Sequence, residues 1–139
     1  MAYRESLQHS ILRSMAAYLM LQVALWLLVG AVLAGAPMRL TICFLVTSLI
    51  LHAVTTGFLL WRISDFRNVN TGLKRSRVHF AAHITLFRLS SAPTIIFLAI
   101  PADHSKVAGA VLIALATSVF LTDLVDGQIA RRLDQVTRI

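Results

Sequence analysis

The feature that most constrains this chain is a series of long apolar runs that contain almost no charge. About 20 consecutive apolar residues are needed to cross the hydrocarbon core of a bilayer as a helix. Four runs approach or exceed that length: Met15–Gly35, Leu40–Trp61, Ala81–Pro101 and Val107–Val125. Lipid tolerates only helices or closed barrels, and these runs fill most of the 139 residues. The sequence therefore predicts an all-α, polytopic membrane protein with four transmembrane helices.

Charged residues and amides are rare within these runs. Gln22 stands in the first, Arg88 in the third and Asp123 in the fourth. The first run is longer than the core of about 7–15 residues that a cleaved signal peptide carries, so we expect it to persist as a helix. Cys43 is the only cysteine, which excludes an intramolecular disulfide and a thiolate metal cluster.

The basic residues predict the orientation in the membrane. Ten of the 13 Lys and Arg residues precede the first run, separate the second from the third, or follow the fourth: Arg4, Arg13, Arg62, Arg67, Lys74, Arg75, Arg77, Arg131, Arg132 and Arg138. The two other loops hold only Arg39 and Lys106. By the positive-inside rule we expect both termini and the middle loop on the cytoplasmic side of the inner membrane. The net charge of +7 then reflects topology and attraction to anionic lipid, and we expect no nucleic-acid partner.

The middle loop suggests a division of the chain. Ile63, Phe66, Val69 and Leu73 recur at helical spacing between basic residues, a pattern typical of a helix lying in the headgroup layer. The stretch "NVNTG" favours a turn instead, so a solvated basic linker stays open. We therefore predict an accessory transmembrane hairpin over 1–62, a linker or interfacial helix over 63–77, and a functional core over 78–139.

The stretch "TDLVDGQIARR" places two carboxylates at the end of the fourth run. If the helix continues through it, 100° per residue puts Asp123, Asp126, Gly127 and Ala130 on one face with Arg131 at its edge. Two ionised carboxylates ~6 Å apart repel by about 3 kcal/mol at an effective dielectric of 20. Protonation, pairing with an arginine, or a divalent cation would relieve that repulsion. The small neighbours favour a bulky ligand close to the backbone, and intramembrane acids mark functional sites.

These residues carry a family resemblance. The motif D-x2-D-G-x2-A-R, formed by Asp123, Asp126, Gly127, Ala130 and Arg131, resembles the first half of the CDP-alcohol phosphotransferase signature, D-x2-D-G-x2-A-R-x8-G-x3-D-x3-D. A second stretch, "ITLFRLSSAP", is similar to the first core helix of that family and supplies its T-x-x-R and following proline through Thr85, Arg88 and Pro93. Ala82 stands where that family usually has Asn. The resemblance covers about residues 80–139.

The resemblance implies a membrane transferase of phospholipid synthesis. In that family an acceptor hydroxyl attacks the phosphorus attached to the lipid alcohol of a CDP-linked lipid, and CMP leaves. Asp123 and Asp126 would be ligands of Mg²⁺ or Mn²⁺, which would neutralise the diphosphate. Gly127, Ala130 and Arg131 would contact the nucleotide end, and Thr85 and Arg88 would bind phosphate, although Arg88 is also close enough to the membrane edge to snorkel to it.

The resemblance also implies partners. They are a CDP-diacylglycerol-like lipid and a polar alcohol acceptor. The segment "ARRLDQVTR" is similar to phosphatidylglycerophosphate synthase-like members, which favours glycerol 3-phosphate, although Asp134 replaces a common Asn. Inositol phosphate, serine and choline stay open as acceptors. A homodimer is one open arrangement.

The second half of the signature is not within these residues. The eight positions from Arg132 to Ile139 fill the x8 gap, and the general base that the family pattern implies would lie beyond Ile139. We expect either a fragment of a longer enzyme or a natural half-length protein, and we expect the 139-residue chain alone not to turn over substrate.

Two other interpretations fit parts of the pattern. A small proton-coupled transporter working as a dimer would also have four spans and an intramembrane acid, but near mid-membrane; a non-catalytic membrane subunit is the other. His79 and His83 have the i, i+4 spacing of a zinc pair but no evident third ligand, which favours headgroup or phosphate contact. We expect His52, Thr55 and Thr56 to hydrogen-bond to a neighbouring helix.

Overall fold

A computed structural model describes the backbone of residues 2–63, 78 and 80–132, and the side chains of 5–63, 78 and 82–122. It contains four α-helices: α1 (Ala2–Leu25), α2 (Met38–Trp61), α3 (Phe80–Ala102) and α4 (Lys106–Arg132), with a π-helical segment, Trp26–Leu33, continuing α1. The prediction of an all-α fold is confirmed. The linker or interfacial helix predicted at 63–77 lies, except for Ile63, outside the described residues.

Three of the described stretches are long and apolar enough to span a bilayer. They are Glu5–Leu33, Met38–Trp61 and Ala82–Ala102, while Lys106–Thr122 forms a shorter apolar helix. The second and third agree closely with the predicted spans. The apolar part of α4 is shorter than predicted among these residues, although the helix itself continues to Arg132. The protein is therefore a helical membrane protein with three long candidate spans.

The first helix begins well before the predicted run, because its polar N-terminal part has an apolar stripe. Leu7, Ile11 and Met15 recur at i, i+4 spacing and are buried. They pack in one cluster with buried residues from the end of α2, the start of α3 and the residues between: Leu59, Ile63, Val78 and Leu86. This contact holds the N-terminal half of α1 against the point where α2 ends and α3 starts.

An aromatic cluster joins the opposite ends of these helices. The Trp26 ring stacks on Phe44 of α2, with centroids 4.8 Å apart, and meets Phe97 of α3 edge-on at 6.0 Å. Phe44 and Phe97 also meet edge-on at 5.7 Å. Such pairs stabilise packing beyond the area they bury. The cluster therefore ties the π-helical segment to two helices at once.

The π-helical segment ends in backbone hydrogen bonds that span five and six residues, longer than the four of an α-helix. The Ala34 N–H donates to the Val29 carbonyl at 2.9 Å, and the Ala36 N–H donates to the Gly30 carbonyl at 2.9 Å. Gly35 then adopts φ 63°, a left-handed conformation that glycine reaches without steric cost. Pro37 precedes the first turn of α2 with extended backbone, so the chain reverses within a few residues.

Helices α3 and α4 form an antiparallel hairpin that positions the site. The connecting turn is short, and Ser105 caps α4 by accepting a hydrogen bond from the Ala108 N–H at 3.3 Å, as N-cap serines do. Of all the element pairs, α3 and α4 pack most extensively. The start of α3 and the last turns of α4 consequently lie at the same end of the hairpin, which we call the motif end.

The packing of Gly30 under Trp26 gives a stability prediction. A Cβ at Gly30 would lie 2.7 Å from Trp26 Cε3, so Gly30→Ala must displace the indole ring from Phe44. We expect a loss of about 1–3 kcal/mol, the usual cost of overpacking. Denaturation in mixed micelles with increasing SDS, followed by Trp26 fluorescence in a Trp61→Phe background, measures it.

The matched control is Gly57→Ala in α2. A Cβ there meets nothing within 4 Å, and alanine has the higher helix propensity, so this variant should be as stable as the unsubstituted chain or more stable. Equal destabilisation by both alanines would contradict the close contact between Gly30 and Trp26.

Candidate functional site

The acidic motif lies on an unbroken helix. Helix α4 runs as 27 residues from Lys106 to Arg132, and the motif from Asp123 to Arg131 falls in its last turns. The backbone therefore forms a continuous helix through the motif, as the sequence analysis required for these residues to share one face. With 100° per residue, the helix places Asp123, Asp126, Gly127 and Ala130 on one face.

The facing helix brings its own predicted residues to the same end. From Thr85 to Ala102 on α3, and from Lys106 to Asp123 on α4, the rise is about 25 Å at 1.5 Å per residue. Thr85 and Asp123 are thus at similar depth in an antiparallel hairpin, with Arg88 one turn further along α3. The Thr85 side chain is exposed and Arg88 is half-buried.

The donor set of the motif has the chemistry of a hard-cation site. Carboxylate oxygens are what Mg²⁺ and Mn²⁺ prefer, and a spacing of three residues on a helix brings two carboxylates to one face. The two aspartates are therefore the type of donor that such a cation prefers. The side chains from Asp123 to Arg131 lie outside the described set, and within that set no three His, Cys, Asp or Glu side chains cluster closely enough to hold a metal ion.

Comparison with known proteins identifies this part of the chain. Residues 78–139 match the family model described as CDP-alcohol phosphatidyltransferase. The matched segment is a CDP-alcohol phosphatidyltransferase domain segment. No curated relative and no solved structure matches the chain. The family prediction is confirmed over α3 and α4, and the match includes both the acidic motif and the Thr85–Arg88 stretch.

Sequence reasoning missed how strongly α1 contacts this CDP-alcohol phosphatidyltransferase segment. The Tyr18 hydroxyl lies 2.9 Å from His83 Nδ1 and 3.2 Å from the His83 carbonyl oxygen. Gln22, seen in the sequence only as an interruption, is buried and hydrogen-bonds to two hydroxyls of α3. The signal available was a lone amide in an apolar run, since a buried amide in lipid requires partners.

His52 corrects a second expectation. It was predicted to bond to a neighbouring helix, but its Nδ1 lies 2.8 Å from the Ser48 carbonyl of its own helix. A carbonyl oxygen only accepts, so Nδ1 donates its proton to the Ser48 carbonyl. Nε2 and the Ser48 Oγ have no hydrogen-bond partner among the described residues. A hydrogen bond within α2 therefore satisfies one of the two ring nitrogens of His52.

The geometry predicts the tautomer of His52. ¹⁵N spectra of the protein in bilayers should show a proton on His52 Nδ1, because the Ser48 carbonyl selects that nitrogen as donor. The exposed His9 is the internal comparison, and its ring should average between tautomers. A His52 ring protonated only at Nε2 would contradict the contact.

Proposed function

We propose that this protein takes part in phospholipid synthesis by binding a CDP-linked lipid between α3 and α4 at the motif end, where a phosphatidyl group passes to a hydroxyl acceptor and CMP is released. The family match of residues 78–139 carries the proposal. It is supported by the continuous helix through the acidic motif and by the position of Thr85 and Arg88 at the same end of the hairpin.

In this proposal Asp123 and Asp126 hold a divalent cation, Mg²⁺ or Mn²⁺. When bound, such an ion neutralises diphosphate charge and stabilises the charge that develops on the leaving group. By holding that ion, the two aspartates would fix the position at which the diphosphate oxygens bind. Their neighbours Gly127 and Ala130 have side chains too small to block approach, so the nucleotide can come close to the helix backbone.

The basic and hydroxyl residues complete the anion site. Arg131 lies next to Ala130 in the motif and offers a guanidinium fork suited to phosphate oxygens. Thr85 offers a hydroxyl donor from α3 at the depth of Asp123, and Arg88 adds a second guanidinium one turn away. Phosphate is thus held between charges and donors from two facing helices.

The proposal also covers the acceptor and the question of which step these 139 residues carry out. Glycerol 3-phosphate is the acceptor we favour, from the likeness of "ARRLDQVTR" to phosphatidylglycerophosphate synthase-like members. The 139 residues contain only the first half of the signature, and we propose that they bind the nucleotide lipid while turnover requires the second half. Binding is therefore the primary measurement.

Metal-dependent binding tests the site directly. We expect the chain in detergent–lipid micelles to bind CDP-diacylglycerol in Mg²⁺ and to lose binding in EDTA. Asp123→Asn and Asp126→Asn should each weaken binding by at least about tenfold, which is ~1.4 kcal/mol, because each removes a carboxylate charge from the cation. Isothermal titration calorimetry measures the affinity.

Asp103→Asn is the matched control. Asp103 is exposed in the turn at the opposite end of the hairpin, so the same chemical change there should leave the affinity unaltered. Binding that is indifferent to EDTA and to both motif substitutions would overturn the proposed metal site.

We further propose that the motif end faces the cytoplasm of the inner membrane, with both termini on that side and residues 1–62 forming an accessory hairpin. The distribution of basic residues supports this orientation. Trp61, exposed at 74%, and Arg62, whose guanidinium carbon lies 5.8 Å from the Trp61 ring centroid, form an interfacial pair at the end of α2, typical of a membrane boundary.

Cysteine labelling tests this orientation in a Cys43→Ser background. In intact cells a membrane-impermeant maleimide should label Asp103→Cys, and it should label Glu5→Cys only after the inner membrane is opened, because a charged reagent does not cross lipid. Labelling of Glu5→Cys but not of Asp103→Cys in intact cells would show the opposite orientation.

A further inference from the structure

Polar contacts attach α1 to the CDP-alcohol phosphatidyltransferase segment along much of its length. The Val78 N–H donates to Ser10 Oγ at 3.2 Å, Tyr18 contacts His83, and Gln22 bonds deeper in α3. All three α1 residues lie outside the matched segment, and all their partners lie inside it. The N-terminal helix therefore contacts the part of the chain that carries the proposed site.

Gln22 makes two of these contacts, one through each end of its amide. Thr94 Oγ1 donates to Gln22 Oε1 at 2.6 Å, and Gln22 Nε2 donates to Ser91 Oγ at 3.2 Å. Ser91 Oγ in turn donates to the Phe87 carbonyl at 2.8 Å. Each hydroxyl uses its single proton once, so donors and acceptors match throughout. The three side chains are buried.

The amide can satisfy both hydroxyls in only one placement of α3. Ser91 and Thr94 are three residues apart, which separates them by about 60° around the helix and 4.5 Å along it. A rotation of α3 by one residue, about 100°, or a slide by one turn, about 5.4 Å, takes both hydroxyls away from Gln22.

We propose that Gln22 is a positioning residue that sets the rotation of α3, and with it the direction in which Thr85 and Arg88 meet the nucleotide lipid. Arg88 is three residues before Ser91 on the same helix, so any rotation of α3 carries Arg88 through the same angle. Tyr18, at His83, provides a second attachment near Thr85. This inference rests on the proposed function, because it assigns Thr85 and Arg88 to that site.

Gln22→Leu should remove the constraint on the rotation of α3 without unfolding the protein. In Gln22→Leu the Ser91 hydroxyl keeps its bond to the Phe87 carbonyl, and Thr94 can bond to a carbonyl of its own helix, as membrane Ser and Thr do. No buried polar group is stranded, and leucine replaces most of the lost volume. The fold should persist while the rotational constraint on α3 disappears.

Spin labels measure that constraint. In a Cys43→Ser background, labels go on Leu89→Cys of α3 and Leu121→Cys of α4, which are 42% and 54% exposed. The full chain is reconstituted in phosphatidylcholine–phosphatidylglycerol vesicles, and pulsed electron–electron resonance gives the distance distribution. We expect Gln22→Leu to shift or broaden it by about 3 Å or more, since a 100° turn moves a side chain by several ångströms.

Substitutions at Thr94 provide the rescue test. Thr94→Val removes one of the two hydroxyl contacts at nearly constant shape and should shift or broaden the distances in the same sense as Gln22→Leu but by less, whereas Thr94→Ser retains the donor and should keep the original distances. Ser118→Ala is the control in α4, because the Ser118 hydroxyl donates to the Ala114 carbonyl of its own helix; it should change nothing.

Binding measured on the same samples links position to function. Gln22→Leu should weaken Mg²⁺-dependent CDP-diacylglycerol binding about fivefold, as expected for loss of two hydrogen bonds in lipid, and Thr94→Val, which removes one of the two, should weaken it about two- to threefold. Thr94→Ser and Ser118→Ala should bind normally. If Gln22→Leu keeps the original distances or the original affinity, the positioning role is overturned alone. If the unsubstituted chain does not bind the lipid, the proposed function is overturned and this inference with it.

Discussion

Hydrocarbon offers no hydrogen-bond partner to an amide, and this one property of the solvent accounts for most of the architecture. Every backbone N–H and C=O within the apolar runs must be satisfied inside its own segment, so the runs become helices. The same property makes each buried polar side chain dependent on a specific neighbour. The buried Gln22 hydrogen-bonds to two hydroxyls of α3, and the buried His52 hydrogen-bonds to a carbonyl of its own helix. The half-buried Tyr18 contacts His83 of α3.

Association of these helices needs a different source of free energy. Lipid tails are as apolar as leucine, so burial of apolar area drives helix pairing in a bilayer only weakly. The contacts found here are of the kinds that remain: close aromatic packing around Trp26, a glycine that admits the indole ring, and hydrogen bonds from α1 to α3. The Leu7–Ile11–Met15 stripe adds packing where α1 extends beyond the run first predicted to be its span.

The site follows from the hairpin geometry. A short turn capped by Ser105 makes α3 and α4 antiparallel, and nearly equal lengths of helix then separate that turn from Thr85 and from Asp123. Two motifs that are distant in sequence consequently reach one end of the bundle. The helix through the acidic motif was predictable, because no proline or glycine pair interrupts it, and Gly127 alone is tolerated within a helix. The fit between α1 and α3 was not, because hydrophobic periodicity says where a face is but not which helix covers it.

The amino-acid sequence alone determined the helical membrane class, the limits of the second and third spans to within a few residues, and the family of residues 78–139. Charge-free length and motif spacing are local properties, so they can be read without the fold. The tertiary structure decided which polar residues meet. The sequence marks Gln22 as an anomaly in an apolar run, but a hydrogen bond depends on distance and angle between helices far apart along the chain. Only the packed bundle sets those, and it pairs Gln22 with Ser91 and Thr94 while it turns His52 toward Ser48 of its own helix.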